Sequence, residues 1–343
     1  MQCISCFAVF IFSVWITGRV CKIAWNYGFL DTPDHRRSHA VVTPRGGGLA
    51  IVIVFWTWIV AAAYFTGLSK QIWMPILPSI AVAGIGFWDD VSSLSAAKRL
   101  VVQFVCAALS LYLMGGIQIT LSIKDYIVPH ELVLFIALIF LVWSINLYNF
   151  MDGVNGLAGF EALTISIFMA TISFCDGEYN WSWMWSVLAC AVAGFLVWNF
   201  PKAKIFLGDV GSYFLGFMFG ILLVNSANTR PRWFWCGMIL LGYFVVDATI
   251  TLLVRIWFKQ PVFQAHHTHA FQILLRNFRK SHTAVTGLVL CINVFWLLPW
   301  ALLTANDYLP GFYAMLIAYL PLVIIVTFMK AGRPEYNSNA IVL

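Results

Sequence analysis

The chain has 343 residues, of which 62% are hydrophobic and only 10% are charged. Soluble domains usually carry about 25% charged residues, so this composition excludes an ordinary soluble protein and indicates an integral membrane protein. The formal charge of +6 is interpreted as a signal of membrane topology and not as a sign that the protein binds nucleic acid.

Long apolar stretches predict about eleven transmembrane helices, because a helix needs roughly 20 apolar residues to cross a bilayer. The predicted spans are 3–18, 48–66, 72–88, 100–115, 132–148, 157–174, 182–199, 211–226, 233–256, 284–304 and 310–329. They predict an all-α polytopic membrane protein in which residues 1–343 form a single domain. The first span lacks a preceding basic region and a small-residue cleavage site, so we expect it to be a retained helix. Cys3 and Cys6 in that span are interpreted as small apolar residues.

Basic residues are distributed unequally between the two sides of the membrane. One side receives 16 of the 20 Lys and Arg residues, and the other side receives four. Cytoplasmic loops carry the excess of basic residues, so we predict a periplasmic N-terminus and a cytoplasmic C-terminus. Asp89, Asp90, Asp152, Asp209 and six of the seven His fall on the same cytoplasmic side. The sequence therefore concentrates its ionisable groups on one membrane face.

Two motifs on that face place carboxylates at helix ends. "GFWDDVSSLSAAKRLVVQF" contains the adjacent pair Asp89 and Asp90, whose mutual repulsion a divalent cation or a cationic substrate would relieve. A solvated helix end is the alternative. "FLGDVGS" places Asp209 between two glycines at a helix start, where backbone N–H groups attract phosphate. A simple helix cap is the alternative there.

A third motif, "NFMDGVNGLAG", interrupts two apolar spans with polar residues and glycines. Asp152 and Asn155 would share a face if the segment were helical, and the face would suit a nucleotide or a metal. A polar helix-entry turn is the alternative. Carboxylate and amide oxygens favour Mg²⁺ or Mn²⁺ over Zn²⁺, so the three motifs together indicate phosphoryl transfer at a membrane surface.

Two further loops and one buried acid complete the set of candidates. "HHTHAF" contains His266, His267 and His269, which could bind pyrophosphate, move protons or hold zinc. "PRGGG" follows the basic loop with Arg45, and its glycines form either a hinge or a close approach to phosphate. Asp247 lies inside the ninth predicted span, so we expect it either to face a polar groove, which we favour, or to mark a bend in that span.

The ordered motifs "SHAVVTPRGGG", "GFWDDVSSLSAAKRLVVQF", "NLYNFMDGVNGLAG", "FLGDVGS" and "HHTHAF" resemble those of the polyprenyl-phosphate N-acetylhexosamine-1-phosphate transferases. The resemblance extends over residues 38–271. It is closer to the GlcNAc-1-phosphate or FucNAc-1-phosphate transferases of O-antigen initiation than to the phospho-MurNAc-pentapeptide transferases. Asn155 stands where the latter enzymes typically carry a second Asp, and "HHTHAF" departs from their three consecutive His residues.

The resemblance implies an Mg²⁺-dependent enzyme of the bacterial inner membrane, with Mn²⁺ as an alternative ion. It would transfer a sugar 1-phosphate from a UDP-N-acetyl sugar to undecaprenyl phosphate, release UMP and start lipid-linked O-antigen synthesis. A homodimer remains open. The implied catalytic residues are Asp89, Asp90, Asp152, His266 and His269. Substrate binding is assigned to His39, Arg45, Asn149, Asn155, Gly156 and His267. The metal is assigned to Asp209 and Asp152.

The main rival hypothesis is a secondary transporter that uses Asp247 and the cytoplasmic carboxylates. Transporters place ionisable residues near the middle of the membrane, often between inverted repeats. Here most acids lie at cytoplasmic helix ends, and the sequence shows no clear repeat. A purely structural membrane subunit is the third hypothesis, but it would not need four Asp residues among glycines.

Overall fold

The structure is a computed structural model, and it describes residues 2–32, 41–117, 122–123, 126–127, 129–261 and 266–334. The helices within these ranges are α1 (Gln2–Tyr27), α2 (Gly48–Phe65), α3 (Lys70–Trp73), α4 (Ser79–Val91), α5 (Ala96–Leu113), α6 (His130–Met151), α7 (Leu157–Cys175), α8 (Tyr179–Asn199), α9 (Gly208–Ala227), α10 (Pro231–Leu240), α11 (Gly242–Trp257), α12 (Ala270–Asn277), α13 (His282–Cys291), α14 (Leu298–Ala305) and α15 (Gly311–Phe328). A 3-10 turn spans Met74–Ile76, and a π-helical segment, Ile292–Leu297, joins α13 to α14. Two antiparallel pairs of two-residue strands, β1 (Leu30–Asp31) with β2 (Thr43–Pro44) and β3 (Ser122–Ile123) with β4 (Tyr126–Ile127), are the sheets of the described residues.

The membrane-spanning architecture confirms the all-α prediction. Ten helical spans of the described residues are long and apolar enough to cross a bilayer, and the bent pair α10 and α11 makes eleven. Each predicted span corresponds to one of these, although several predicted spans are shorter than the observed helices. The helix α1 continues to Tyr27 and α4 continues to Val91. Near the end of α1, the exposed side chains of Arg19 and Lys22 can reach polar surroundings. At the end of α4, the buried carboxylates of Asp89 and Asp90 have hydrogen-bond partners within the protein.

The helix α9 forms the centre of the fold. Every residue from Val210 to Ala227 is buried, whereas the outer spans α1 and α15 bury only 22% of their apolar windows. Its main packing partners are α2, α4, α6 and α10. A helix that is apolar around its whole circumference is expected in such a central position. The residue Asp209, at its N-terminal end, is therefore surrounded by other helices.

Glycines allow α9 to approach two of its neighbours closely. A Cβ atom added to Gly48 of α2 would lie 2.1 Å from the Cα of Gly211 in α9. On another side, a Cβ atom on Gly216 would lie 2.5 Å from the carbonyl oxygen of Ser144 in α6. Real Cβ atoms do not approach backbone this closely, so larger residues would push these helices apart. The glycines thereby fix where α2 and α6 stand relative to Asp209.

The ninth predicted span is bent, and this overturns one expectation about Asp247. The helices α10 and α11 meet at an angle of 68°. Asp247 lies on α11 and is fully buried. Its two carboxylate oxygens accept hydrogen bonds from the backbone N–H groups of Ala270 (2.8 Å) and Phe271 (2.9 Å) at the start of α12. The favoured prediction of an open polar groove is wrong, because the acid caps a second helix instead of facing a cavity.

Candidate active site

The residue Asp90 connects the end of α4 to the start of α9. Its carboxylate oxygens accept hydrogen bonds from the backbone N–H groups of Asp209 and Val210, each at 3.1 Å. The first N–H groups of a helix have no partners within the helix, and its N-terminus carries partial positive charge. The buried carboxylate of Asp90 accepts hydrogen bonds from two of these N–H groups and places a negative charge beside the partial positive charge. Asp90 therefore sets the position and angle of the turn that presents Asp209.

A second contact orients the Asp209 side chain. The amide of Asn149, on the last turn of α6, donates to Asp209 Oδ1 at 2.7 Å and to Ser212 Oγ at 3.0 Å. Asp209 remains half-buried. Among the described residues, no hydrogen bond is made to Asp209 Oδ2. The helices α4, α6 and α9 thus converge on one carboxylate that keeps an oxygen available.

The residue Asp89 has different partners from its neighbour. Its Oδ2 atom accepts hydrogen bonds from Arg99 Nη1 and from the Tyr213 hydroxyl, both at 2.9 Å, and its Oδ1 atom accepts one from the backbone N–H of Leu94 at 2.7 Å. The Arg99 side chain is 29% exposed. Because hydrogen bonds to a carboxylate are strong when the donor is charged, Asp89 holds the partly exposed Arg99 guanidinium in a fixed position.

The residue Asp152 lies just beyond α6, in a break between α6 and α7. The segment from Asp152 to Gly156 is not helical, so the conditional prediction that Asp152 and Asn155 share a helical face does not apply. Burial, followed by the negative charges of Asp209 and Asp90, raises the pKa of Asp152 to about 8. Carboxylates that share a field in this way favour a bound cation. This observation fits the predicted pairing of Asp152 with Asp209 around a divalent ion.

The raised pKa of Asp152 gives a testable dependence of stability on pH. Between about pH 4 and pH 8 the unfolded chain has lost this proton while the folded chain retains it. The folded state then binds more protons, so the free energy of unfolding should fall as pH rises through this window. We expect Asp152→Asn to flatten that decline. Thermal unfolding in detergent with a chelator, from pH 5 to pH 8, measures it; an unchanged slope in the variant would contradict the assignment.

The backbone of Asn155 and Gly156 is hydrogen-bonded to residues of α8 and α13. The backbone N–H of Asn155 donates to His282 Nδ1 (3.0 Å), and its carbonyl oxygen accepts from Thr286 Oγ1 (2.8 Å). Gly156 adopts φ +79°, and its N–H donates to Asn199 Oδ1 at 2.7 Å. The predicted nucleotide loop is therefore held by α8 and α13. The side chain of Asn155 stays partly exposed, and its role in substrate binding stays a prediction.

Sequence reasoning missed several residues that support these loops. His282 and Thr286 stand four residues apart on α13, a spacing that places both on one helix face. Tyr213 stands four residues after Asp209 on α9, and it follows the same rule. These polar residues at helical spacing within apolar spans were a usable signal. Asn199 gave no such signal, because its role depends on how α8 ends against the loop after α6.

The histidine loop adjoins the break after α6. His269 is buried, its Nδ1 atom lies 3.3 Å from Asp247 Oδ1, and its ring centroid is 6.0 Å from that of Phe150. Two residues after His269, Phe271 packs against Gly153, where an added Cβ atom would lie 2.9 Å from the ring. These contacts place His269 beside the segment that carries Asp152. The buried acid Asp247 thus fixes the loop to the site.

The other two histidines of this loop differ in environment. The His266 ring stacks on that of His269 with centroids 4.8 Å apart. Burial, followed by repulsion from His269, Arg255 and His267, lowers the pKa of His266 to about 3, so this imidazole is neutral at physiological pH. His267 is exposed. The described residues contain no group of three His, Cys, Asp or Glu side chains that could hold a metal ion.

The glycine loop before α2 is a packing element, so the hinge interpretation does not hold. The N–H groups of Gly47 and Gly48 donate to the carbonyl oxygens of Phe206 and Leu207, each at 2.8 Å. These bonds fix the turn that precedes Asp209. Beside them, Arg45 is half-buried and its Nε atom is buried without a hydrogen-bond partner. His39, predicted to bind substrate, lies outside the described residues.

The region that holds most of these residues is similar in sequence to known proteins. Residues 72–227 match the model of glycosyl transferase family 4. The chain thus contains a region similar to glycosyl transferase family 4. The matched region carries Asp89, Asp90, Asn149, Asp152 and Asp209, while Arg45 and the histidine loop lie outside it. The predicted resemblance to the polyprenyl-phosphate N-acetylhexosamine-1-phosphate transferases is confirmed.

Individual relatives are distant in sequence, but their alignments extend over most of this chain. A probable undecaprenyl-phosphate N-acetylglucosaminyl 1-phosphate transferase of Bacillus subtilis is 29% identical over 280 residues, which is 78% of this chain and 75% of the relative. An undecaprenyl-phosphate alpha-N-acetylglucosaminyl 1-phosphate transferase of Thermotoga maritima is 27% identical over 80% of this chain and 82% of its own length. A phospho-N-acetylmuramoyl-pentapeptide-transferase of Caldicellulosiruptor bescii is 27% identical over 63% of this chain and 69% of its own length.

Proposed function

We propose that the protein transfers an N-acetylated sugar 1-phosphate from a UDP-sugar, such as UDP-GlcNAc or UDP-FucNAc, to undecaprenyl phosphate. An oxygen of the lipid phosphate attacks the sugar-bearing phosphorus, the bond from that phosphorus to UMP breaks, and UMP leaves. The product is a lipid-linked pyrophosphoryl sugar, the starting point of a glycan such as an O-antigen. The named activities of the relatives in Bacillus subtilis and Thermotoga maritima support this proposal.

The observation that carries the proposal is the convergence of α4, α6 and α9 on Asp209. Asp90 fixes the start of α9, Asn149 orients the carboxylate, and Asp152 lies within its electric field. A transporter site would instead be expected near mid-membrane with discontinuous helices around it. The residue that best fitted that rival, Asp247, makes its hydrogen bonds to α12 and to the histidine loop.

The side chains of this chain suggest a division of tasks. Positioning and electrostatic stabilisation account for most of the catalysis of phosphoryl transfer. Arg99, held by Asp89 and partly exposed, offers a guanidinium to a phosphate oxygen. Arg45 has a buried Nε–H without a partner, which can donate to a second anionic group. His266 is neutral, so it would contribute a hydrogen bond and no positive charge.

The residues Asp209 and Asp152 fit a magnesium ion. Mg²⁺ commonly takes one or two carboxylates and completes its shell with water and substrate phosphates. Burial, followed by the negative charges of Asp209 and Asp90, raises the pKa of Asp152, and such an ion would offset those charges. When bound, the ion would neutralise charge on the diphosphate. Mn²⁺ suits the same oxygen ligands.

The decisive test is an assay of the purified protein with undecaprenyl phosphate and a panel of UDP-sugars. Release of UMP is measured by chromatography, and the lipid product is identified by mass. We expect one UDP-N-acetyl sugar to give a product heavier than the lipid by one sugar phosphate. Movement of a UDP-sugar across vesicles without bond cleavage would contradict the proposal and support a transporter.

Removal of divalent metal should abolish this activity. We expect a chelator in excess to stop UMP release, because the negative charge of the diphosphate would then have no cation beside Asp209 and Asp152 to offset it. Adding back Mg²⁺ in excess of the chelator should restore the rate, which controls for damage by the chelator. Undiminished turnover in chelator would show that these acids do not act through a metal.

The site is proposed to face the cytoplasm of a bacterial inner membrane. The unequal distribution of Lys and Arg supports this orientation, and UDP-sugars are cytoplasmic substrates. Single-cysteine labelling at exposed Lys202, near the site, and at exposed Asp307, at the other end of the bundle, tests it. The two positions should label from opposite sides of the membrane.

A further inference from the structure

The segment that follows the last span contacts both ends of the histidine loop. The N–H of Gly332 donates to the carbonyl oxygen of Thr268 at 2.9 Å, and the Gly332 carbonyl oxygen accepts from Gln260 Nε2 at 2.7 Å. Thr268 lies between His267 and His269, while Gln260 follows the end of α11. A single residue near the end of α15 thus connects the two sides of the loop.

This contact requires glycine at position 332. Gly332 adopts φ +76°, a conformation that side chains with a Cβ atom rarely accept. An added Cβ atom would also lie 2.5 Å from the carbonyl oxygen of Thr251 and 3.0 Å from the Val254 side chain, both on α11. The preceding Ala331 is 2% exposed. Gly332 is therefore packed against α11 and is not free to move.

The amide of Gln260 is oriented by a buried arginine. Arg255 is 4% exposed; its Nη1 atom donates to Gln260 Oε1 at 3.0 Å and its Nη2 atom to the carbonyl oxygen of Pro261 at 2.7 Å. The oxygen of the Gln260 amide thus faces Arg255, and its nitrogen faces Gly332. The bonds from the two Nη atoms fix the orientation of the Gln260 amide, while Arg255 Nε is buried without a partner among the described residues.

We propose that Gly332, with Gln260, is a positioning residue that holds the histidine loop in register with the diphosphate of the UDP-sugar. We call the hydrogen bonds of Gly332 to Thr268 and Gln260 the latch. Because Thr268 lies between His266 and His269, the latch fixes the positions of both imidazoles relative to the break after α6. The inference rests on the proposed function. It adds a requirement that the transferase motifs do not contain: residues after the last span complete the donor side of the site.

The test uses Gly332→Ala in the full chain. We expect the KM for the UDP-sugar to rise about 10-fold or more, the effect of losing one buried hydrogen bond and shifting its neighbours, with a smaller change in the KM for undecaprenyl phosphate. Hydrogen–deuterium exchange at residues 266–269 should increase while exchange in α9 stays unchanged. The matched control is Gly67→Ala, because Gly67 also has a positive φ (+66°) but nothing within 4 Å of an added Cβ atom.

A second variant keeps the inference testable if Gly332→Ala does not fold. Gln260→Glu preserves size and the contact with Arg255 but removes the N–H that donates to Gly332. We expect the same selective rise in the KM for the UDP-sugar. An unchanged KM and unchanged exchange at 266–269 in either folded variant would overturn the latch. A wild-type protein that transfers no sugar phosphate would instead overturn the proposed function, so the two failures are distinguishable.

Discussion

Replacing Asp209 with Asn is expected to reduce UMP release by about 10²–10³-fold or more, the range found when a single well-placed charged or polar group is removed from an active site. The substitution keeps the size of the side chain and removes its negative charge. It also places an amide beside the donating amide of Asn149, which lies 2.7 Å away in the wild type. Steady-state release of UMP, measured with the preferred UDP-sugar and undecaprenyl phosphate, reports the effect.

Asp307→Asn is the matched control for Asp209→Asn. Asp307 is 69% exposed and pairs with Arg232, at the opposite end of the bundle from Asp209. Its loss should leave turnover within about twofold, since exposed ion pairs contribute little. Both variants should be recovered from membranes in wild-type amounts. Equal turnover by Asp209→Asn and the wild type would remove Asp209 from the mechanism and end the proposal for this site.

Replacing Asp90 with Ala is expected to lower both catalysis and stability. The carboxylate accepts two backbone N–H groups at the start of α9, and loss of a helix cap costs about 1 kcal/mol of stability. One of those N–H groups belongs to Asp209 itself, so the carboxylate of Asp209 should shift. A misplacement of about 1 Å can cost about 10²-fold in rate. Thermal unfolding and kcat, measured on the same preparation, check the two effects together.

Asp90→Asn provides the graded comparison. It keeps one acceptor oxygen and should retain one of the two hydrogen bonds to α9, so its losses should lie between those of the wild type and Asp90→Ala. A lowered unfolding temperature with an unchanged kcat would mean that Asp90 only caps the helix. The position of Asp209 would then not depend on it.

The membrane architecture and the clustering of acids at the candidate site could be predicted from the sequence for physical reasons. Apolar runs of span length have few alternatives to a transmembrane helix, and the count of about eleven is confirmed. Carboxylates at the ends of such runs are costly unless they have a use. Asp89, Asp90 and Asp209 stand out for that reason, and the structure brings the three together at the ends of α4 and α9.

The division of tasks among these residues could not be predicted, because it depends on contacts between distant segments. Adjacent in sequence, Asp89 and Asp90 point to different partners: one holds Arg99 and the other caps α9. Asp247 was expected in a groove, yet it caps α12, which lies more than twenty residues further along the chain. A pattern read along one helix does not say which other helix start will meet it.

Complete enclosure of α9 also bears on how the enzyme responds to its bilayer. Spans that meet lipid adjust to membrane thickness by tilting or by drawing the bilayer around them. Since no side chain from Val210 to Ala227 is exposed, lipid does not contact this helix directly. The outer spans α1 and α15 adjust instead to any difference between their length and the thickness of the bilayer. The depth of Asp209 relative to its neighbours should therefore stay constant across membranes with different acyl chain lengths.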